Sequence, residues 1–120
     1  MVRYRSTVRA FAAAGIGLLV AMGNSSVAHA DPDTDFANRL HTYGIYGPKD
    51  YNAWLGKITC QRMRNNVDRD AYQSANFLAA NLARQNSTGQ NWQFLGAAID
   101  FYCPDQHRAL EAAAHAGGHA

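Results

Sequence analysis

The chain has 120 residues, of which 48% are hydrophobic and 17% are charged, and its formal net charge is +2 at pH 7. Arg3, Arg5 and Arg9 are three of its eleven lysines and arginines, so residues 31–120 carry eight basic and nine acidic side chains, a net charge of −1. This balance argues against a nucleic-acid binder, which needs a basic surface to neutralise phosphates.

The first 30 residues have the three regions of a secretory signal peptide. The early arginines precede the uncharged apolar run AFAAAGIGLLVAMG, and the small-residue sequence AHA ends directly before Asp31. The apolar run is short for a membrane span and lies close to this cleavage sequence. We therefore expect cleavage after Ala30, no stable membrane anchor in the product, and a secreted protein that is extracellular or associated with the cell wall.

Residues 31–104 predict one all-α domain of four helices, the first short and the other three longer. Asp33 or Thr34 is the candidate N-cap of the first helix, which ends at Gly44. The second helix is expected over 48–64, with Pro48 at its first position. Its apolar residues cover a wide arc, which indicates a central, buried helix. One face holds Tyr51, Trp54, Leu55 and Ile58, and an adjoining strip holds Ala53, Gly56, Cys60 and Met63.

The third and fourth helices are predicted from caps and apolar spacing. Asp68 or Asp70 is placed to cap the third helix, and Ser87 and Gln90 have the spacing of a capping box for the fourth. Pro104 lies where it stops the fourth helix. The apolar face of the third helix comprises Ala71, Ala75, Leu78 and Leu82, and that of the fourth comprises Trp92, Leu95, Ile99 and Tyr102.

Residues 105–120 contain many alanines, a Gly-Gly pair and few large apolar side chains. Such a segment offers little to dock on a core, although it can form a transient helix. We expect a flexible tail. His107, Glu111 and His115 would share one face of such a helix, but this spacing is weakly specific for metal, and we predict no metal site.

Two cysteines follow the leader, Cys60 and Cys103. Short links make helices two, three and four run up, down and up, which brings the C-terminal ends of helices two and four to one end of the domain. In an oxidising compartment this placement predicts a disulfide between them. The alternative, Cys103 as a thiolate ligand, needs a free thiol outside the cell.

The segments DFANRLHTYGI, ITCQRM and AAIDFYCP resemble secreted mycobacterial and related actinobacterial proteins that share domain of unknown function 732. The resemblance covers about residues 35–104. It implies a small exported helical protein with paired cysteines, and it brings no activity with it. The aromatic segment YGPKDYNAW and the histidine-bearing tail depart from the family pattern.

An aromatic group around the first turn is the candidate ligand-binding site. These side chains could line a pocket for a flat apolar ligand such as haem, with a phenolate or imidazole as its axial ligand. The plainer interpretation is that they fasten the first helix to the second. The candidates are His41, Tyr43, Tyr46, Tyr51 and Trp54.

The sequence offers no catalytic constellation. Cysteines joined in a disulfide are not nucleophiles, and His41 has no identifiable serine or acid partner. We therefore predict a non-enzymatic protein without a cofactor, an interaction or binding module of the cell envelope whose target is an unknown protein or envelope component. The alternative is a carrier of haem or another hydrophobic small molecule. A cavity beside Tyr43 and Trp54 would favour the carrier, and a solid core with an exposed apolar patch would favour the interaction module.

Overall fold

A computed structural model describes residues 31–117. The predicted signal peptide, residues 1–30, and the last three residues of the predicted tail lie outside this range. The described residues form five α-helices and a short 3-10 helix, without a strand. The bounds are α1 Pro32–Thr42, α2 Lys49–Arg64, α3 Ala71–Asn81, α4 Thr88–Tyr102, the 3-10 helix Pro104–Gln106 and α5 His107–Gly117. The all-α prediction is confirmed, with one helix more than the four expected.

Local capping explains where the helices begin. Ser87 accepts a hydrogen bond from the backbone N–H of Gln90, and the Gln90 side chain accepts one from the backbone N–H of Ser87, so the predicted capping box at α4 is present. Asp70 caps α3 by accepting from the backbone N–H of Gln73. At α1 the cap is Asp31, two residues before the earlier of the two candidates.

Asp68, the other candidate cap of α3, is instead buried beside the C-terminal end of α2. Its carboxylate accepts hydrogen bonds from Arg62 at 2.8 and 3.0 Å and from the Ser74 hydroxyl at 3.1 Å. These bonds satisfy the buried charge, and the Asp68 hydrogen bond raises the pKa of Arg62. Arg62 also lies 4.1 Å above the ring of Phe77. Arg62 is therefore part of the packing between α2 and α3.

The core lies where α1, α2 and α3 pack against α4. Phe36 of α1 is fully buried and meets Phe94 and Tyr102 of α4 edge to face, with ring centroids 5.3 and 5.1 Å apart. A Cβ at Gly56 of α2 would lie 3.1 Å from the Tyr102 ring and 3.2 Å from Phe36, so a glycine lets α2 approach this closely. The other large, fully buried hydrophobic side chains are Leu40, Ile45, Leu55, Leu78, Leu95 and Ile99.

Cys60 and Cys103 form the predicted disulfide, with their Cα atoms 5.8 Å apart. Cys60 lies in the last part of α2 and Cys103 directly follows α4. Both are buried, and no free cysteine remains among residues 31–117. The thiolate-ligand alternative for Cys103 is therefore excluded in this fold.

The predicted arc of α2 needs one correction. Leu55, Cys60 and Met63 are buried as expected, but Tyr51 is 40% exposed and Trp54 is 53% exposed. Ala53 and Gly56 of the predicted strip are buried as well, and Asn52 and Thr59 extend the buried side of α2. The two aromatic rings are therefore surface features.

The segment predicted as a flexible tail forms α5 and lies against the domain. Ala113 is 8% exposed and belongs to the hydrophobic core, and Leu110 packs against that core. The Tyr72 hydroxyl of α3 donates a hydrogen bond to the carbonyl oxygen of Ala113 at 3.2 Å. The expectation that this segment contributes nothing to the core was wrong for these residues, because alanine fits where helices approach closely.

Candidate functional site

The five candidate ligand-binding residues form two ring pairs and one side chain that packs against the core. The rings of His41 and Tyr46 form one pair, with centroids 5.0 Å apart, and those of Tyr51 and Trp54 form another, 5.8 Å apart. Tyr43 is partly buried against the core, and its carbonyl accepts a hydrogen bond from the Gln90 side chain at 3.0 Å. Only Trp54 of these five lines either of the two grooves described next.

The first groove runs along the outer face of α2 and has a volume of about 380 Å³. We call it the α2 groove. Its residues recur at helical spacing, so they form a stripe along one helix, and α4 contributes the wall. The lining residues are Trp54, Lys57, Ile58, Cys60, Gln61 and Arg64 of α2 and Tyr102 of α4.

Both cations of the α2 groove are paired with carboxylates. Lys57 Nζ lies 3.1 Å from Asp33 Oδ2 and 5.4 Å above the Tyr102 ring. Arg64 donates two hydrogen bonds to Asp105, which hold the pKa of the Asp105 carboxyl well below its usual range. Trp54 and Ile58 therefore give the groove an apolar surface, and each of its two cations is neutralised by a neighbouring carboxylate.

Tyr102, which lines the α2 groove, forms a hydrogen bond with Asp33 of α1. The Tyr102 hydroxyl donates to Asp33 Oδ1 at 2.7 Å. This bond, together with the ion pair to Lys57, lowers the pKa of Asp33. Burial and the neighbouring carboxylate raise the pKa of Tyr102, so its hydroxyl stays protonated and remains a donor.

The second groove lies between α3 and α4 and has a volume of about 360 Å³. We call it the α3–α4 groove. Tyr72 and Trp92 form an edge-to-face pair beside it, with centroids 5.3 Å apart. Sequence reasoning did not identify this groove. One signal was available: Asn91 precedes Leu95 by one helical turn, so a carboxamide occupies an inward-facing position of α4.

The predicted histidine face of the tail does not form a metal centre in this structure. Among residues 31–117, no three side chains of the metal-ligating types lie close enough together to hold an ion. The His107 imidazole is instead 2.9 Å from Asp100 on α4. In the same residues no helix has the length and apolar character needed to cross a membrane.

Comparison with known proteins adds a family but no activity. A family described as "Protein of unknown function (DUF732)" matches residues 32–105. Two proteins of Mycobacterium tuberculosis, "Uncharacterized protein Rv0559c" of strain H37Rv and "Uncharacterized protein MT0585" of strain CDC 1551, are each 52% identical over 100 residues. The match covers 82% of this chain and 89% of each relative. No solved structure matches the chain.

Proposed function

The chain belongs to the DUF732 family, and from its surface we propose that it is a small secreted, non-enzymatic binding module of the cell envelope or extracellular space. The observation that carries the proposal is the exposure of Tyr51 and Trp54 beside the α2 groove. Large aromatic side chains are enriched at protein interfaces, where they supply much of the binding energy. An exposed aromatic surface beside a groove is the arrangement expected of an interaction module.

The charges around the α2 groove indicate the kind of partner. Lys57 and Arg64 are engaged by Asp33 and Asp105, so neither is an open anchor for an anionic group. A partner would therefore gain most from apolar contact with Trp54 and Ile58, with charged groups at the rim. We propose a protein or envelope component that inserts a neutral, apolar group into this groove.

Export is supported by the signal-peptide pattern and by the disulfide, since disulfides persist in oxidising compartments. Asp31, the first residue after the proposed cleavage site, is the N-cap of α1, so cleavage there leaves the helical domain whole. N-terminal sequencing of the protein from culture medium should give Asp31 as the first residue. A membrane-bound product that retains Met1 would refute free secretion.

The non-enzymatic role is supported by the chemistry of the cysteines. Both lie in the disulfide, so neither offers the thiolate that a cysteine nucleophile requires. We expect no labelling by fluorophosphonate or iodoacetamide probes of the oxidised protein. Stoichiometric labelling of a single side chain would point to an activated nucleophile and contradict this part of the proposal.

Site-specific photocrosslinking tests the proposed binding surface. Benzoylphenylalanine replaces Trp54 in the protein expressed in its own host, and Val67 is the matched control because it is also a large exposed hydrophobic residue, at 57% exposure. The proposal requires a discrete crosslinked partner from position 54 that is absent from position 67. Equal crosslinking at both positions, or none at position 54, would reject the α2 groove as the interface.

The carrier of haem or another hydrophobic small molecule is the alternative function. A carrier was expected to have a cavity that lies beside both Tyr43 and Trp54. The α2 groove is lined by Trp54 but not by Tyr43, so the geometry favours the interaction module. Hemin titration distinguishes the two and is argued in the Discussion.

A further inference from the structure

The loop between α3 and α4 presents an arginine to solvent. It comprises residues 82–87, and Ala83, Arg84 and Gln85 are all exposed. One backbone hydrogen bond, from the Asn86 N–H to the Ala83 carbonyl at 3.0 Å, spans the turn. Exposed loop tips with small and polar residues are preferred sites of proteolytic nicking, because little structure has to open before the chain can enter a protease cleft.

The other lysines and arginines of residues 31–117 lie in backbone that is held more firmly. Arg69 is the one besides Arg84 that lies outside the helices. Its backbone N–H donates a hydrogen bond to the Gln73 side chain at 2.7 Å. The residue before it, Asp68, is buried, and the residue after it, Asp70, caps α3. Opening the chain at Arg69 therefore breaks a cap and a buried contact, whereas opening it at Arg84 breaks the bond of one turn.

The disulfide encloses this loop. Cys60 precedes Arg84 and Cys103 follows it, so hydrolysis of the bond between Arg84 and Gln85 leaves the two parts of the chain covalently joined. The N-terminal part carries α1, α2 and α3, and the C-terminal part carries α4 and α5. Hydrolysis consumes one water molecule, which supplies the hydroxyl of the new Arg84 carboxyl group and a hydrogen of the new Gln85 amino group. The product is therefore a two-chain protein.

Contacts between the two parts hold the fold after such a cut. Phe36 of α1 packs against Phe94 and Tyr102 of α4. The end of α3 next to the loop is fastened to α2, because the Tyr51 hydroxyl donates to the Asn81 carbonyl at 2.9 Å. The α2 groove is formed by α2 from one part and Tyr102 from the other, so it is retained as long as these contacts hold.

We propose that the bond between Arg84 and Gln85 is a cleavage site for a trypsin-like endopeptidase, and that cleavage there gives a disulfide-linked two-chain protein with its helical core intact. The anionic specificity pocket of such a protease takes the exposed guanidinium of Arg84, and residues 82–86 extend along its cleft. The loop shares no residue with the α2 groove, so the site does not depend on the proposed interaction surface.

Limited digestion of the oxidised protein, residues 31–120, with trypsin tests this site. The first product should be heavier than the uncut protein by one water molecule, and reduction should split it into one piece ending at Arg84 and one beginning at Gln85. Its circular dichroism spectrum should match that of the uncut protein. A first cut at any other lysine or arginine, or a loss of helicity on the first cut, would overturn the proposal.

Matched substitutions assign the cut to its arginine. Arg84→Gln should slow the first cleavage by more than about tenfold, because the remaining sites lie in helices or in the firmly held turn at Arg69. Arg69→Gln is the control, since it also removes an exposed arginine from a loop, and it should be cut at the rate of the unsubstituted protein. Unchanged cleavage of Arg84→Gln, or protection by Arg69→Gln, would place the cut elsewhere and refute the assignment.

Discussion

The Tyr102 hydroxyl donates a hydrogen bond to Asp33 Oδ1 at 2.7 Å, joining residues that are 69 positions apart in the sequence. This contact fastens the first turn of α1 to the last turn of α4, beside the α2 groove. It also places a protonated phenol and an ionised carboxylate together in a partly buried setting. Its strength can be measured directly.

Tyr102→Phe should lower the free energy of unfolding by about 1 kcal/mol at pH 7, because a hydrogen bond to a charged group is lost at a site that solvent partly screens. The loss should be smaller in an Asp33→Asn background, where the acceptor is no longer charged. Urea unfolding of the two single variants and the double variant gives the coupling energy. A coupling energy of zero would mean that the contact contributes nothing to stability.

The same contact predicts how stability depends on pH. Asp33 has a lowered pKa in the folded protein because Tyr102 donates to it and Lys57 pairs with it. A carboxyl group with a lower pKa when folded stabilises the protein above its unfolded pKa, and that stabilisation is lost as the pH falls through the folded pKa. The free energy of unfolding should therefore fall as the pH drops below about 4. Asp33→Asn should show a shallower fall, and an unchanged slope would contradict the assignment.

The disulfide should contribute substantially to stability. Its ends are 43 positions apart, and closing a loop of that length is worth about 4 kcal/mol in restricted entropy of the unfolded chain. Cys60→Ser and Cys103→Ser should therefore destabilise the protein by similar amounts, and reduction of the native protein should do the same. Urea unfolding with and without a reductant measures this. A large difference between the two variants would indicate lost packing at one sulfur instead of loop closure.

Sequence reasoning succeeded where the signal is local or follows from the order and direction of the helices. The capping box of Ser87 and Gln90 depends on residues three positions apart, and it was confirmed as predicted. The disulfide followed from the order and direction of the helices, which short connections determine. Pro104 follows α4 as expected, because it cannot continue the helix.

Sequence reasoning failed where the outcome depends on what a neighbouring helix presents. Trp54 and Tyr51 fit a helical apolar face, but α1 and α4 pack against the small side of α2, at Gly56, and leave these rings outside. Ala113 has too small a side chain to signal a core position, yet it is buried. The unpaired, buried oxygen of Asn91 depends on how the helices pack around it and cannot be read from the sequence.

Removal of α5 should destabilise the domain. Truncation after Gln106 removes the buried Ala113 and the packed Leu110, and it breaks the hydrogen bond from Tyr72. We expect a loss of about 1–3 kcal/mol in the free energy of unfolding. Ala113→Asp should have a similar effect because it buries a charge, whereas Ala114→Asp, at an exposed position, is the matched control. If the truncated protein has the same melting temperature as the full chain, this segment is the flexible tail expected from the sequence.

Hemin titration decides between the interaction module and the carrier. The His41–Tyr46 pair and the Tyr51–Trp54 pair are separate surface contacts, and Tyr43 packs against the core. No axial ligand from this group lines either groove, so hemin should give no saturable Soret shift with the purified protein. The carrier function requires the opposite, a one-to-one complex that Tyr43→Phe or His41→Ala weakens without loss of helicity. Removing the histidines of α5 shows whether any hemin that does bind is held there. Stoichiometric binding that survives this removal but is lost in Tyr43→Phe or His41→Ala would establish the carrier in place of the interaction module.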